Sequence, residues 1–472
     1  MADRRRIAVT SGRVISGVIG VAVALASVVA VGRLDLPVIA VDAPNAVVTP
    51  TASDQSRVCP GPLLRQGDDA SSGGAAAAFG AAQSTIAADG DVQQTSLSAP
   101  DNVSGDQFGL PTLVSAASAS DQTSPPLAVA QSQVAGLEDV TGFAATACPE
   151  ASADSWLVGG SSDVGRTTVL SLSNPTRTDA VVDLTFYSET GEIDAPGARG
   201  IIVNAGEQRL FSLASFAPEA RIPVVRVQTT GGQVAAVLQQ SIIRGITPGG
   251  IELSSPTAPP ATDQVISGVV VPSSSPEGDG ENYDDSAAAV RLFVPGTDPA
   301  QVTLTFAAEQ GDEAPLPISY EFEGGIVSEL SLANLPSGSF GLSISSDVPV
   351  VAAARTTATA DESVDFAWFG ASGAVADETT IAVAPGQSPR LHLFNPTGSD
   401  AIVVLTDPAG KETSVTVPSD SAVARTVDAT AYDVQGADGI HAQISYEGAD
   451  GFSAYAIQPA NPAASPVTVY PR

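Results

Sequence analysis

The chain has 472 residues, 52 acidic and 20 basic, giving a formal net charge of −32. That charge excludes nucleic-acid binding by phosphate neutralisation, because like charges repel at range, and 43% hydrophobic residues exclude disorder throughout. Low charge density (15%), few aromatics (5%) and abundant Pro (35) and Gly (44) suit short strands joined by turns.

Residues 1–13 carry Arg4, Arg5, Arg6 and Arg13 and read as a cytoplasmic tail. The uncharged run 14–32, closed by Arg33, is long enough to cross a bilayer as a helix. The expectation is an uncleaved, single-pass plasma-membrane anchor with the bulk of the chain outside. A cleaved signal peptide is the alternative, since Ala40 and Ala43 follow and the mature protein would then be secreted. Residues 33–58 read as an extended stalk.

Cys59 and Cys148 are the two cysteines, both on the exported side, where disulfides persist. One bridge between them is expected, stapling a Ser/Gly/Ala-rich β unit over 59–150. Neither a CxxC spacing nor a neighbouring His points to a metal.

Three later segments align without a gap, beginning at Leu170, Val290 and Leu391. In each, a proline turn (Pro175, Pro295, Pro396) separates two alternating runs, the pattern of a hairpin with one buried face. The expected inward positions are Ala180/Val182/Leu184, Ala300/Val302/Leu304 and Ala401/Val403/Leu405. Further short runs follow each hairpin, giving about six or seven strands per roughly hundred residues, as in an immunoglobulin-like sandwich. A propeller, with repeats of typically ~40–50 residues, has about half this period. The fold class is therefore all-β: tandem immunoglobulin-like sandwiches over 151–260, 261–370 and 371–472, after an N-terminal transmembrane helix. Trp156 and Trp368 are expected to be core anchors at matching places in their units.

Chemistry is sparse. His392 falls on the outward side of a repeat strand, where its counterparts are Ser171 and Arg291, and His441 lies beside Ile440. Lys411, the single lysine, sits in a turn without an SxxK motif. The run Glu277, Asp279, Glu281, Asp284 and Asp285 has hard oxygen ligands but lacks EF-hand spacing, so it reads as a solvated acidic loop rather than a calcium site. No catalytic, cofactor-binding or metal residue is assigned.

Three cues together resemble an uncharacterised actinobacterial envelope family, catalogued as domain of unknown function 5719. They are Cys59-Pro-Gly-Pro, Cys148-Pro leading to Trp156-Leu-Val-Gly-Gly, and Leu172-Ser-Asn-Pro with Ala180-Val-Val-Asp-Leu184. The resemblance implies a single-pass or secreted β-rich protein of high-GC Gram-positive bacteria and carries over no catalytic residue. The middle repeat departs from the Asn-Pro turn, having Val294-Pro295-Gly296. The expected role is non-enzymatic: a membrane-anchored cell-envelope protein that binds or positions an envelope protein or polysaccharide, without a cofactor. The alternative is a carboxylate-dependent enzyme acting on envelope glycans, whose two acids need only meet in space.

Overall fold

A computed structural model describes residues 46–48, 54–66, 75–118, 125–274, 285–309, 317–360, 363–459 and 467–469. Residues 14–32 lie outside them; among the described residues no helix is long and apolar enough to cross a membrane. The chain divides into two compact bodies, 50–465 and a smaller one of 1–49 with 466–472. Of the smaller body, the described part is an antiparallel pair, Ala46–Val48 with Val467–Val469.

The larger body is all-β; one short 3-10 turn, Leu213–Ser215, interrupts the described strands. Its strands repeat one topology four times, and we call each repeat a module. In the second module, Asp154–Val158, Val224–Gly231, Ala180–Ser188 and Gly191–Ile193 form one sheet, the first, sixth, third and fourth strands in order, with Ile201–Val203 also paired to Ala180–Ser188 and counted with the fourth. Glu207–Ser212, Arg166–Asn174, Ala235–Arg244 and Thr247–Ser254 form the other, in the order fifth, second, seventh, eighth. The fourth module repeats both sheets between Glu378–Ala382 and Gly451–Ala456. In the third, one long strand, Gly338–Ala360, serves first as the sixth strand and then as the seventh. The first module keeps the first-sixth-third sheet (Gln55–Cys59, Thr112–Ala116, Val92–Ser96) and the second-seventh-eighth sheet (Gln83–Ala88, Leu127–Gly136, Thr141–Ala147). An immunoglobulin sandwich shares the pairings of the second strand with the fifth and the third with the sixth. Here, however, the first and seventh strands have exchanged sheets, which leaves an eighth strand at the edge of the second sheet.

The alternation across the proline turns puts the expected residues inside. Ala180, Val182, Leu184, Ala300, Val302, Leu304, Val403 and Leu405 are buried, and Ala401 is half-buried. The Asn-Pro-Thr turn is held the same way in the second and fourth modules. Asn174 donates to the carbonyls of Thr178 and Val203, while its Oδ1 accepts from the Thr176 N–H and hydroxyl. Asn395 does the same with Ser399, Val417 and Thr397. Both side chains are fully buried, so Asn395→Ala leaves several polar groups without partners. It is expected to cost about 2–4 kcal/mol in chemical denaturation; a loss below about 0.5 kcal/mol would mean the turn holds without the amide.

The modules close into a ring. The eighth strand of each packs on that of the next, and Gly451–Ala456 of the fourth packs back on Thr141–Ala147 of the first. Each seam has its own apolar cluster. Val58, Leu97 and Ala235 join the first module to the second, and Trp156, Phe293, Val351 and Trp368 join the second to the third. Val265, Phe394 and Ala422 join the third to the fourth. Phe143, Ala145, Ile381 and Tyr446 join the fourth to the first.

The second, seventh and eighth strands of the ring are therefore covered on both faces, which corrects two expectations. Ser171, Arg291 and His392 do point away from their own sandwich cores, but onto neighbouring modules, and all three are buried. Trp156 and Trp368 are core residues, yet their positions do not match: Trp156 lies in a first strand and Trp368 in an eighth, Ser363–Gly370. They meet across one seam.

Candidate functional site

Cys59 ends the first strand of the first module, and Cys148 follows its eighth strand. They are disulfide-bonded across 89 residues of sequence with their Cα atoms 4.5 Å apart. The bridge forms part of the wall of a cleft of about 940 Å³ between the first and fourth modules. Leu127, Val129, Val375, Val434 and Ile457 give this cleft apolar walls, and Asp89, Glu150, Glu378, Asp433 and Asp438 make it acidic. Arg57 is the sole basic group among its described lining residues, and Glu150 holds it at 3.4 Å. The strand Glu378–Ala382 runs along the cleft as a sheet edge, paired on one side with Ala431–Gln435. Gln55, 3% exposed, also lines it, and its side-chain oxygen has no hydrogen-bond partner.

A second polar centre lies on the ring axis. Asp365 Oδ1 accepts the backbone N–H groups of Ile251 (3.0 Å) and Phe366 (3.0 Å). Its Oδ2 accepts those of Phe143 (2.8 Å) and Phe452 (2.9 Å). Burial pushes this carboxyl up to about 8, against the pull of the four N–H groups. Glu252 is buried beside the axis, where its carboxyl meets the Ser453 hydroxyl and the Ala454 N–H. Burial, aided by the charge of Asp365, raises it well above the ordinary carboxyl range.

The histidines are placed otherwise than the sequence suggests. His392 Nδ1 lies 2.6 Å from Glu309 Oε1, and Nε2 lies 2.7 Å from Ser445 Oγ. This is the connectivity of a Ser-His-acid triad. His392 is 0% and Ser445 2% exposed, so no substrate reaches the hydroxyl and the trio instead ties the third module to the fourth. His441 donates from Nδ1 to the Ser372 carbonyl at 2.8 Å, and burial lowers it to about 4. Lys411 lies in an exposed turn, as expected.

Of the acidic run, Glu277, Asp279, Glu281 and Asp284 lie outside the described residues. Asp285 is not solvated, which corrects the loop reading at this position. It is 1% exposed and takes a two-pronged hydrogen bond from Arg166 (2.9 and 2.8 Å) and a further one from Arg244 at 2.8 Å. Burial opposes the charge, but the hydrogen bond from Arg166 and the neighbouring guanidiniums win and lower the carboxyl to about 2. A depressed value contributes stability above the ordinary 3.8, lost as pH falls through about 2. Asp285→Asn is therefore expected to flatten the acid limb of the unfolding free energy over that window; an unchanged limb would show the pair is not formed. Among the described residues no cluster of His, Cys, Asp and Glu is arranged to hold a metal ion.

Sequence reasoning missed both the cleft and the axis. A signal for the axis was present: Gly142-Phe143, Gly250-Ile251 and Gly451-Phe452 are matched in the third module by Asp365-Phe366. The profile of a family of unknown function, DUF5719, matches residues 101–445. No curated protein matches. Among solved structures, Thermotoga maritima 1070 aligns at 18% identity and a TM-score of 0.20, over 24% of this chain and 92% of that one.

Proposed function

We propose that this chain, which belongs to the family of unknown function DUF5719, is a non-enzymatic platform on the outer side of the plasma membrane. Residues 14–32 anchor it, and the cleft between its first and fourth modules holds an extended segment of an envelope protein. The observation that carries this reading is the cleft itself, in which the edge strand Glu378–Ala382 runs beside the partnerless Gln55 oxygen. An open strand edge offers main-chain hydrogen bonds to an extended peptide, and apolar walls take alternate side chains. The acidic lining favours a partner with basic residues. A disulfide in the wall fits an oxidising compartment.

The test places a photo-crosslinking residue at Thr380 in the full chain, in native membranes. A second probe goes at Ile246, a 97% exposed site in the second module. A protein adduct formed from Thr380 and absent from Ile246 is the expected result. Adducts released by glycan-degrading enzymes, or equal adducts from both sites, would overturn the peptide reading. Recovery of a soluble form beginning near residue 41 or 44 would overturn the anchor.

A further inference from the structure

We propose that the four N–H groups on the ring axis form an anion receptor for a carboxylate, and that Asp365 is its built-in ligand, latching the ring shut. Each donor comes from a different module: Phe143 from the first, Ile251 from the second, Phe366 from the third and Phe452 from the fourth. Each belongs to an eighth strand, so one carboxylate ties all four inner strands at the same level. Converging backbone N–H groups make an anion-binding concavity, and here every contact in the shell is a donor. A neutral acid would have to turn its proton toward another proton, so the shell is complementary to the anion. Without the carboxylate, four buried N–H groups lose their acceptor.

The repeat pattern shows how the receptor is built. The residue before the donor is glycine in three modules, Gly142, Gly250 and Gly451, with φ of +134°, +111° and +140°. A Cβ at any of the three would overlap the Asp365 carboxylate. Space on the axis therefore admits one side chain, and the third module supplies it. A cavity of about 240 Å³, bordered by Gly142, Ser363 and Gly451, reaches Asp365 and gives a small ion a path to the axis. Glu447 and Asp450 also border it, so anions from solvent enter against an acidic mouth. An internal ligand avoids that barrier. This inference does not depend on the cleft or on what binds there.

Asp365→Gly gives the third module the residue its sisters carry and empties the receptor. In the full chain, above the pH of about 8 to which burial pushes the carboxyl, the variant should melt at least roughly 5 °C below the parent. Formate or acetate should restore much of that loss with rising concentration and leave the parent unmoved, whereas methylammonium should restore none. Parent-like melting, or the same response to formate in both proteins, would overturn the proposal.

One further measurement holds if the variant does not fold, and a second applies where it does. In the parent, the amides of residues 143, 251, 366 and 452 should be among the slowest to exchange and should open together; exchange of any one at loop rates would overturn the latch. Gly451→Ala should also be less damaging on the Asp365→Gly background than on the parent. Strictly additive losses would show that the carboxylate and the glycine do not share the axis.

Discussion

Replacing Arg291 by Ala is expected to lower the unfolding free energy by about 3–5 kcal/mol, because it strips a buried cation from a seam built around it. The guanidinium is 0% exposed. Its Nη1 donates to the carbonyls of Gly160 and Pro223 in the second module, each at 2.9 Å, and Nε donates to Glu329 at 2.9 Å. Its Cζ lies 4.6 Å from the ring centre of Trp368. Removing the side chain leaves two buried carbonyls without this donor and opens a void beside the tryptophan. Arg291→Lys should recover little, since one ammonium cannot reproduce a planar fork that reaches both carbonyls and a carboxylate. Urea titration followed by Trp fluorescence reads the effect where it occurs, because both tryptophans of the chain line this seam. A loss under about 1 kcal/mol for Arg291→Ala would mean that apolar contact alone holds the second and third modules together.

The position of Arg291 also shows where a sequence stops being legible. Within each module, period-two alternation marks the buried face, since a core of one sandwich needs apolar residues at every second position. Ala300, Val302 and Leu304 were found that way. The outward face of the other sheet in each sandwich carries Ser171, Arg291 and His392, which read as solvent-facing because they are polar. They are buried by other modules, and a seam between modules accepts polar residues where partners come from the neighbouring module, as the Gly160 and Pro223 carbonyls do for Arg291 and Glu309 does for His392. Those partners are 131, 68 and 83 residues away in sequence, beyond any local periodicity. Apolar runs hinted at this: Ala289–Phe293 is buried at every position, as for a strand covered on both faces.

The axis was hidden for a different reason. Its ligand is the exception to its own repeat, so Asp365 can be recognised only after three glycines have been aligned with it. The third module conceals that alignment by fusing its sixth and seventh strands into Gly338–Ala360, without the turn that separates them elsewhere. The cleft depends on ring closure, which joins the two ends of the larger body. No linear pattern reports that.

Closure also changes what loss of the disulfide should do. Separate tandem sandwiches would confine the effect of Cys148→Ser to the first module. The ring does not allow this. Opening a closed loop spanning 89 residues of sequence is expected to cost about 2–5 kcal/mol. The strands it frees include Thr141–Ala147, whose Phe143 and Ala145 belong to the same apolar cluster as Ile381, Leu391 and Tyr446 of the fourth module. The second module also touches the first, but its central core, with Leu170, Val182 and Phe186, contains no residue of the first. The third touches the first on the ring axis, where Asp365 accepts the Phe143 N–H, but among the described residues it shares no apolar cluster with it. Limited proteolysis of Cys148→Ser should therefore cut in the first module, then the fourth, and last in the second and third, which keep their shared seam around Trp156 and Trp368. Cleavage of the third module as early as the fourth would show that the ring fails as a whole rather than from its seam. Two free thiols in the exported parent would remove the premise. The informative intermediate is a chain cut in the first and fourth modules whose Trp fluorescence is still native, because both tryptophans then remain in a seam that neither cysteine touches.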